Sequence, residues 1–349
     1  MNERKATLKT WIIIIKILIS LALLSYLASR AVQEHQFQLL FTENRDWGWF
    51  VLAIACSLIA HLISYYRWYL LARALDLPLS LWETVRVSFV SGFFGLFAFG
   101  VIGTDSIRAF SAARRSANKR IEAVASVFVD RLIGVTTMFL IAAIGFYLQD
   151  RSRWEHLDKT GARAIEFICE TAGLLAILAI VGTACLFLVP KLRRYGWFNR
   201  LLHLPLIGKL LVRIMGVMML YRRQPSVLMI GLALSVSSHL LFAITIYSIA
   251  RCCGGEHPTL VDHFIIAPIS LVANCVPLPG GLGGMETVLD FLYRAFSGPR
   301  AENQMGIVVA FAFRFVLLVV SAIGAVIWFS MNRAEKQTLR DADAVAISA

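Results

Sequence analysis

The chain has 349 residues, of which 58% are hydrophobic and only 16% charged, with a mean hydropathy of +0.70. That composition excludes a soluble domain of useful size: apolar runs of about 20 residues, enough to cross a bilayer core of about 30 Å, recur along its whole length. A formal net charge of +12 would suggest nucleic acid for a soluble protein, but Lys and Arg collect in the cytoplasmic loops of membrane proteins, so no nucleic-acid partner is expected.

In chain order, the first element is the apolar run from Trp11 to Ala28, behind Arg4, Lys5 and Lys9. It is long for the apolar part of a signal peptide and no A-x-A site follows it, so it reads as an uncleaved span over 11–28. Further full spans are expected over 47–70, 123–148, 164–189, 226–250 and 306–329. With the first they make about six. Trp11, Trp47, Trp49, Trp68, Tyr69 and Trp328 lie near span ends and fit interfacial aromatic belts.

Two more apolar stretches, 84–110 and 260–296, are broken by glycine or proline. They read as re-entrant helical hairpins that enter and leave on one side. If 84–110 crossed fully, Arg114, Arg115, Lys119 and Arg120 would fall outside, against the positive-inside bias. The same bias places both termini in the cytoplasm, including a short tail over 331–349. Segment 190–225 has eight Lys/Arg and no Asp or Glu. Within it, 200–221 reads as an amphipathic helix, lying on the inner leaflet or packed on the bundle.

The expected fold is thus an all-α polytopic membrane protein, one integral membrane domain over 1–349. A first repeat covers about 47–150, a linking span and amphipathic helix about 164–222, and a second repeat about 226–330. The sign of a repeat is a G-x-x-G followed by a carboxylate, found at Gly100, Gly103 and Asp105 and again at Gly280, Gly283 and Glu286. Each precedes a span that carries an arginine, Arg131 or Arg314. On the expected topology the two hairpins enter from opposite sides, making an inverted repeat of the kind from which alternating-access transporters are built.

Pro277, Pro279, Gly280, Gly281, Gly283 and Glu286 break an apolar segment. Such backbone survives at bilayer depth only where protein buries it or a wet cavity receives it. Asp130, Arg131, Glu286 and Arg314 sit at similar depth, at about 2.5–3.5 kcal/mol each, roughly 10 kcal/mol together before pairing. They require partners or a polar cavity, as structural ion pairs or as a substrate path. Asp105 and Arg108 share a helix face. A half-helix starting after Gly103 would offer free N–H groups to an anion, and Arg108 could hold a phosphate oxygen.

These features resemble the transmembrane region of lysylphosphatidylglycerol synthases and the flippase-like family around it. The resemblance rests on Pro277-x-Pro279-Gly280-Gly281-x-Gly283-x-x-Glu286, on Gly100-x-x-Gly103-x-Asp105-x-x-Arg108, on Arg114-Arg115, and on Val129 to Gly134. It covers residues 10–330. It implies a multi-pass plasma-membrane protein, of prokaryotic type, that moves or helps move a lipid or lipid-linked head group between leaflets. The substrate would be an anionic or zwitterionic phospholipid, held by Gly100, Gly103, Asp105, Arg108, Asp130, Arg131, Pro277, Pro279, Gly280, Gly281, Gly283, Glu286 and Arg314. The family's full synthases carry a soluble aminoacyl-transferase domain after the membrane region. Only residues 330–349 follow the last span here, so translocation is expected and synthesis is not.

Other readings are a small-solute transporter of the same architecture, a lipid-modifying membrane enzyme, and a scaffold. No G-x-S-x-G, H-E-x-x-H or Walker A pattern occurs, so neither catalysis nor ATP within this chain is expected. Cys56, Cys169, Cys185 and Cys275 lie in apolar segments, and Cys252 and Cys253 are adjacent. That arrangement suggests no metal or disulfide framework, and no cofactor is expected. A homo-oligomer or a partner synthase stays open.

Overall fold

A computed structural model describes residues 46–95, 100–116, 118–149, 159–192, 224–254, 256–275, 282–297 and 305–331, with isolated positions at 25–26, 29, 32, 216 and 219–222. Every element among them is helical: α1 (Trp47–Ala74), α2 (Leu81–Gly95), α3 (Gly100–Arg115), α4 (Arg120–Leu148), α5 (Lys159–Leu192), α6 (Pro225–Cys253), α7 (Leu260–Val272) with a 3-10 turn Ala273–Cys275, α8 (Gly284–Ser297) and α9 (Gly306–Ser330). Among the described residues five helices are long and apolar enough to cross a membrane, which makes this a multi-pass membrane protein. They match the spans expected at 47–70, 123–148, 164–189, 226–250 and 306–329. The span over 11–28 and the amphipathic segment 200–221 fall outside the described residues, apart from isolated positions.

Local chemistry sets the helix ends. The Asp46 carboxylate accepts the Gly48 N–H at 2.9 Å to cap α1. Ser80 and Glu83 form a reciprocal box at the start of α2, the Glu83 N–H donating to Ser80 Oγ and the Ser80 N–H to Glu83 Oε2. Thr259 and Asp262 do the same for α7. Each box satisfies two otherwise orphaned N–H donors. Pro225 starts α6, and Gly254, at φ 75°, ends it.

The helices form two matching series. The first, α1 to α4, runs 28, 15, 16 and 29 residues. The second, α6 to α9, runs 29, 13, 14 and 25. Helices α1 and α6 pack along their length in antiparallel sense, since Trp49 meets Tyr247 and Arg67 bonds Ser235. Each short pair also folds back on itself. Arg115 of α3 bonds Glu83 of α2, and Tyr293 of α8 bonds His263 of α7 at 2.7 Å. The two series exchange their short helices: α2 packs on α9, and α7 on α4.

Close approach there depends on glycine. A Cβ at Gly324 of α9 would clash with the Phe89 carbonyl oxygen of α2. Side chains such as Ile59, Phe128, Phe167, Met229 and Phe329 point outward, as lipid-facing residues should. The interior is mixed: Ser57, Ser88, Ser91, Ser126, Thr137, Ser235 and Ser238 are buried between helices, small polar residues of the kind that let membrane helices approach closely.

Candidate functional site

At the centre lies a cavity of about 260 Å³, walled by α1, α2, α3, α4, α6, α7, the 3-10 turn and α9. Four arginines reach it, Arg67, Arg108, Arg131 and Arg314, together with Asp130. Such a density of charge inside a membrane bundle needs explicit compensation.

Two arginines are compensated in the same way in both halves. Arg131 of α4 grips Asp105 of α3 through two bonds, at 2.7 and 2.6 Å. Arg314 of α9 grips Glu286 of α8 at 2.6 and 3.3 Å and also donates to Asn274 Oδ1 at 3.0 Å. In each half, the carboxylate comes from the second short helix and the arginine from the long helix that follows. The fork of a guanidinium matches a carboxylate in this two-point way. Glu286 is wholly buried, and its Oε2 also accepts the Gly283 N–H at 2.9 Å, capping α8. Gly283 has φ 94°, a region closed to most side chains.

A third pair has no such counterpart among the described residues. Arg67 donates to Asp130 at 2.6 Å and to Ser235 Oγ at 2.7 Å. The Ser235 hydroxyl bonds Thr137, tying α1, α4 and α6 together. His239 donates from Nε2 to the Gly134 carbonyl at 3.1 Å, and His61 from Nδ1 to the Ser57 carbonyl at 2.7 Å. Carbonyl oxygens only accept, so the ring nitrogens must be the donors there.

Arg108 is different again. It is 7% exposed, its Nε–H has no hydrogen-bond partner, and no carboxylate pairs with it among the described residues. Its guanidinium lies over the rings of Tyr65 and Trp68, 5.2 and 5.5 Å from their centroids. Such contacts return about 0.5–2 kcal/mol, whereas burying a charge costs several. Arg108 is therefore a cation held in place but not neutralised.

Of the residues expected from sequence, Arg108, Asp130, Arg131 and Arg314 line the cavity; Asp105 and Glu286 stand behind them as partners. Gly103 is buried within α3. Gly100 begins α3, one turn earlier than a start after Gly103. Arg108 thus stands about 12 Å along the axis from that terminus. Nor do Asp105 and Arg108 pair, despite their spacing. Pro277, Pro279, Gly280 and Gly281 lie outside the described residues. Trp68 is not an interfacial belt residue. It is 1% exposed, and its Nε1–H donates to Ser126 Oγ at 3.2 Å.

Sequence reasoning did not single out Arg67, Tyr65, His61 or His239. The available signal was Arg67 itself, an arginine two turns inside the end of a 28-residue apolar helix. Among the described residues no group of three His, Cys, Asp or Glu side chains could hold a metal ion.

A family model described as "Lysylphosphatidylglycerol synthase TM region" matches residues 13–324. No curated protein matches the chain, and no solved structure does.

Proposed function

The chain belongs to the lysylphosphatidylglycerol synthase transmembrane-region family, and from that premise we propose that it is a lipid translocase of the plasma membrane, both termini in the cytoplasm. It would pass an anionic or zwitterionic phospholipid head group through the central cavity while the acyl chains stay in the bilayer. We read the α2–α3 and α7–α8 pairs as re-entrant hairpins entering from opposite faces, and the two helix series as an inverted repeat. The antiparallel packing of α1 on α6 supports that reading, because a two-fold axis in the membrane plane reverses the direction of equivalent helices.

The observation that carries the proposal is Arg108. A buried guanidinium that no carboxylate among the described residues compensates, at the wall of a membrane cavity, is a standing energetic deficit, which an entering phosphate would relieve by charge-assisted hydrogen bonds. The paired arginines supply a polar surface for the passing head group at no net charge. Exchange of α2 and α7 between the two halves gives a mechanical route: rocking one half against the other would expose the cavity to each leaflet in turn. The chain is read as a translocase rather than an enzyme, its cavity carboxylates being committed to arginine partners.

The test is leaflet transfer. The full chain would be reconstituted in vesicles with a labelled anionic phospholipid in one leaflet. Transfer should depend on protein and fall at least tenfold in Arg108→Gln and in Glu286→Gln. Unchanged asymmetry across anionic and zwitterionic lipids would overturn the reading, and a covalently altered lipid would replace it with an enzyme.

A further inference from the structure

The two helix series differ in charge, and the difference identifies what the cavity takes. The part present in both halves is neutral: Asp105 with Arg131, and Glu286 with Arg314. Aligning these pairs sets Asp130 opposite Phe313, and Arg108 opposite Leu289. Both second-half residues are wholly buried in the apolar core. At the cavity the first half therefore adds Asp130 and Arg108, and α1 brings Arg67. Two cancel, since Arg67 pairs with Asp130 at 2.6 Å. The third is Arg108. The described cavity groups thus sum to four cations against three carboxylates, a net charge of +1 placed on one side chain. Residues 96–99 and 276–281 include no ionisable residue.

From this we propose that the site selects a head group with one net negative charge, a phosphodiester without a balancing amine. The inference rests on the translocase reading and narrows its substrate. A singly charged diester brings the cavity to neutrality. A zwitterionic head group brings an ammonium as well, and each described carboxylate that could receive it is already bonded to an arginine. Size agrees in kind, because about 260 Å³ lies just below the usual range for small-ligand sites and suits a compact head group with its chains left outside. Arg108 recognises the charge, and Tyr65 and Trp68 position it. Their faces hold the guanidinium without neutralising it, where a carboxylate would cancel the selectivity.

The test uses the full chain in phosphatidylcholine vesicles with a trace of spin-labelled lipid carrying a phosphatidylglycerol or a phosphatidylcholine head group. The glycerol lipid should associate about tenfold more strongly than the choline lipid. Arg108→Gln should bring the ratio near one, and Arg108→Lys, which keeps the charge, should largely preserve it. The difference between wild type and Arg108→Gln removes the background from the basic segment 190–225, common to both. Equal association in the wild type overturns the proposal, as does a preference untouched by Arg108→Gln while Arg108→Lys is folded. Soluble glycerophosphoglycerol at equal concentration should not displace the lipid; if it does, the seat belongs to a free diester and the lipid assignment falls. Preference without leaflet transfer would refute translocation alone. Transfer without preference would refute this inference alone.

Discussion

The Arg67 guanidinium meets the Asp130 carboxylate at 2.6 Å with both side chains enclosed, 7% and 5% exposed. Because the two neutralise each other, Arg108 is the group that gives the cavity its sign. Removing one member of a buried pair strands the other and typically costs about 3–5 kcal/mol, while replacing both with apolar residues of similar volume is often close to neutral. Asp130→Ala should therefore lower the thermal midpoint of the purified protein strongly. The double variant Arg67→Met with Asp130→Leu should recover most of the loss. A double variant as unstable as Asp130→Ala would show that Arg67 is needed for its bond to Ser235 instead.

Gly283 makes a second case, one of backbone. At φ 94° an alanine is strained, at a cost of about 1–3 kcal/mol, and the strain falls where Glu286 accepts the Gly283 N–H. Gly182 is the control: a Cβ there meets nothing within 4 Å, and alanine inside a helix gains about 0.5–1 kcal/mol over glycine. Gly283→Ala should lower the thermal midpoint and Gly182→Ala should hold or raise it. Equal behaviour of the two would remove the special role of the turn.

What the sequence showed and what it hid follow from one asymmetry. A charge in an apolar run is visible because it is costly wherever it points, so Asp130, Arg131, Glu286 and Arg314 were legible. Their partners were not, since pairing depends on helix rotation and packing. Asp130 and Arg131 are neighbours in sequence, yet successive residues point about 100° apart on a helix, so one reaches Arg67 and the other Asp105. Arg67 was hidden by its company: Tyr65, Tyr66, Trp68 and Tyr69 imitate an interfacial belt near a helix end, and only the packing of α6 and α4 against that face buries it. The long helices were legible from apolar length. The start of α3 was not, because Gly100 and Gly103 are equally suited to open a helix.

Glu83 lies in the first turn of α2, outside the helices long enough to span. Burial pushes its carboxyl up, but bonds from the Ser80 N–H and hydroxyl and the Arg115 guanidinium outweigh this and hold it below the usual carboxylate range. A depressed folded pKa adds stability that is complete above the unfolded value, about 4.3, and is lost as pH falls through the folded one. The side chain is 35% exposed, so solvent screening limits the contribution to less than about 1 kcal/mol. Glu83→Gln should sit slightly below wild type in thermal midpoint at pH 7, and the gap should close in acid. A gap that widened on acidification would reverse the sign and refute the assignment.

The two repeated ion pairs separate burial from geometry. Asp105–Arg131 and Glu286–Arg314 have the same two-point arrangement, but the side chains are 21% and 40% exposed in the first and 0% and 13% in the second. If geometry set the energy, neutralising either carboxylate would cost the same. If burial sets it, the exposed pair is worth about 0–1 kcal/mol, whereas loss of the buried one strands Arg314 at about 3–5 kcal/mol. Glu286 also accepts the Gly283 N–H at the α8 cap, and glutamine keeps one acceptor oxygen where the carboxylate has two, so Arg314 and that N–H compete for it. Glu286→Gln should therefore lower the thermal midpoint several times more than Asp105→Asn, each compared with wild type in the same detergent. Equal shifts, or a larger one for Asp105→Asn, would mean that water reaches the second pair as freely as the first, and that the cavity is wetter on the α8 side than its packing implies.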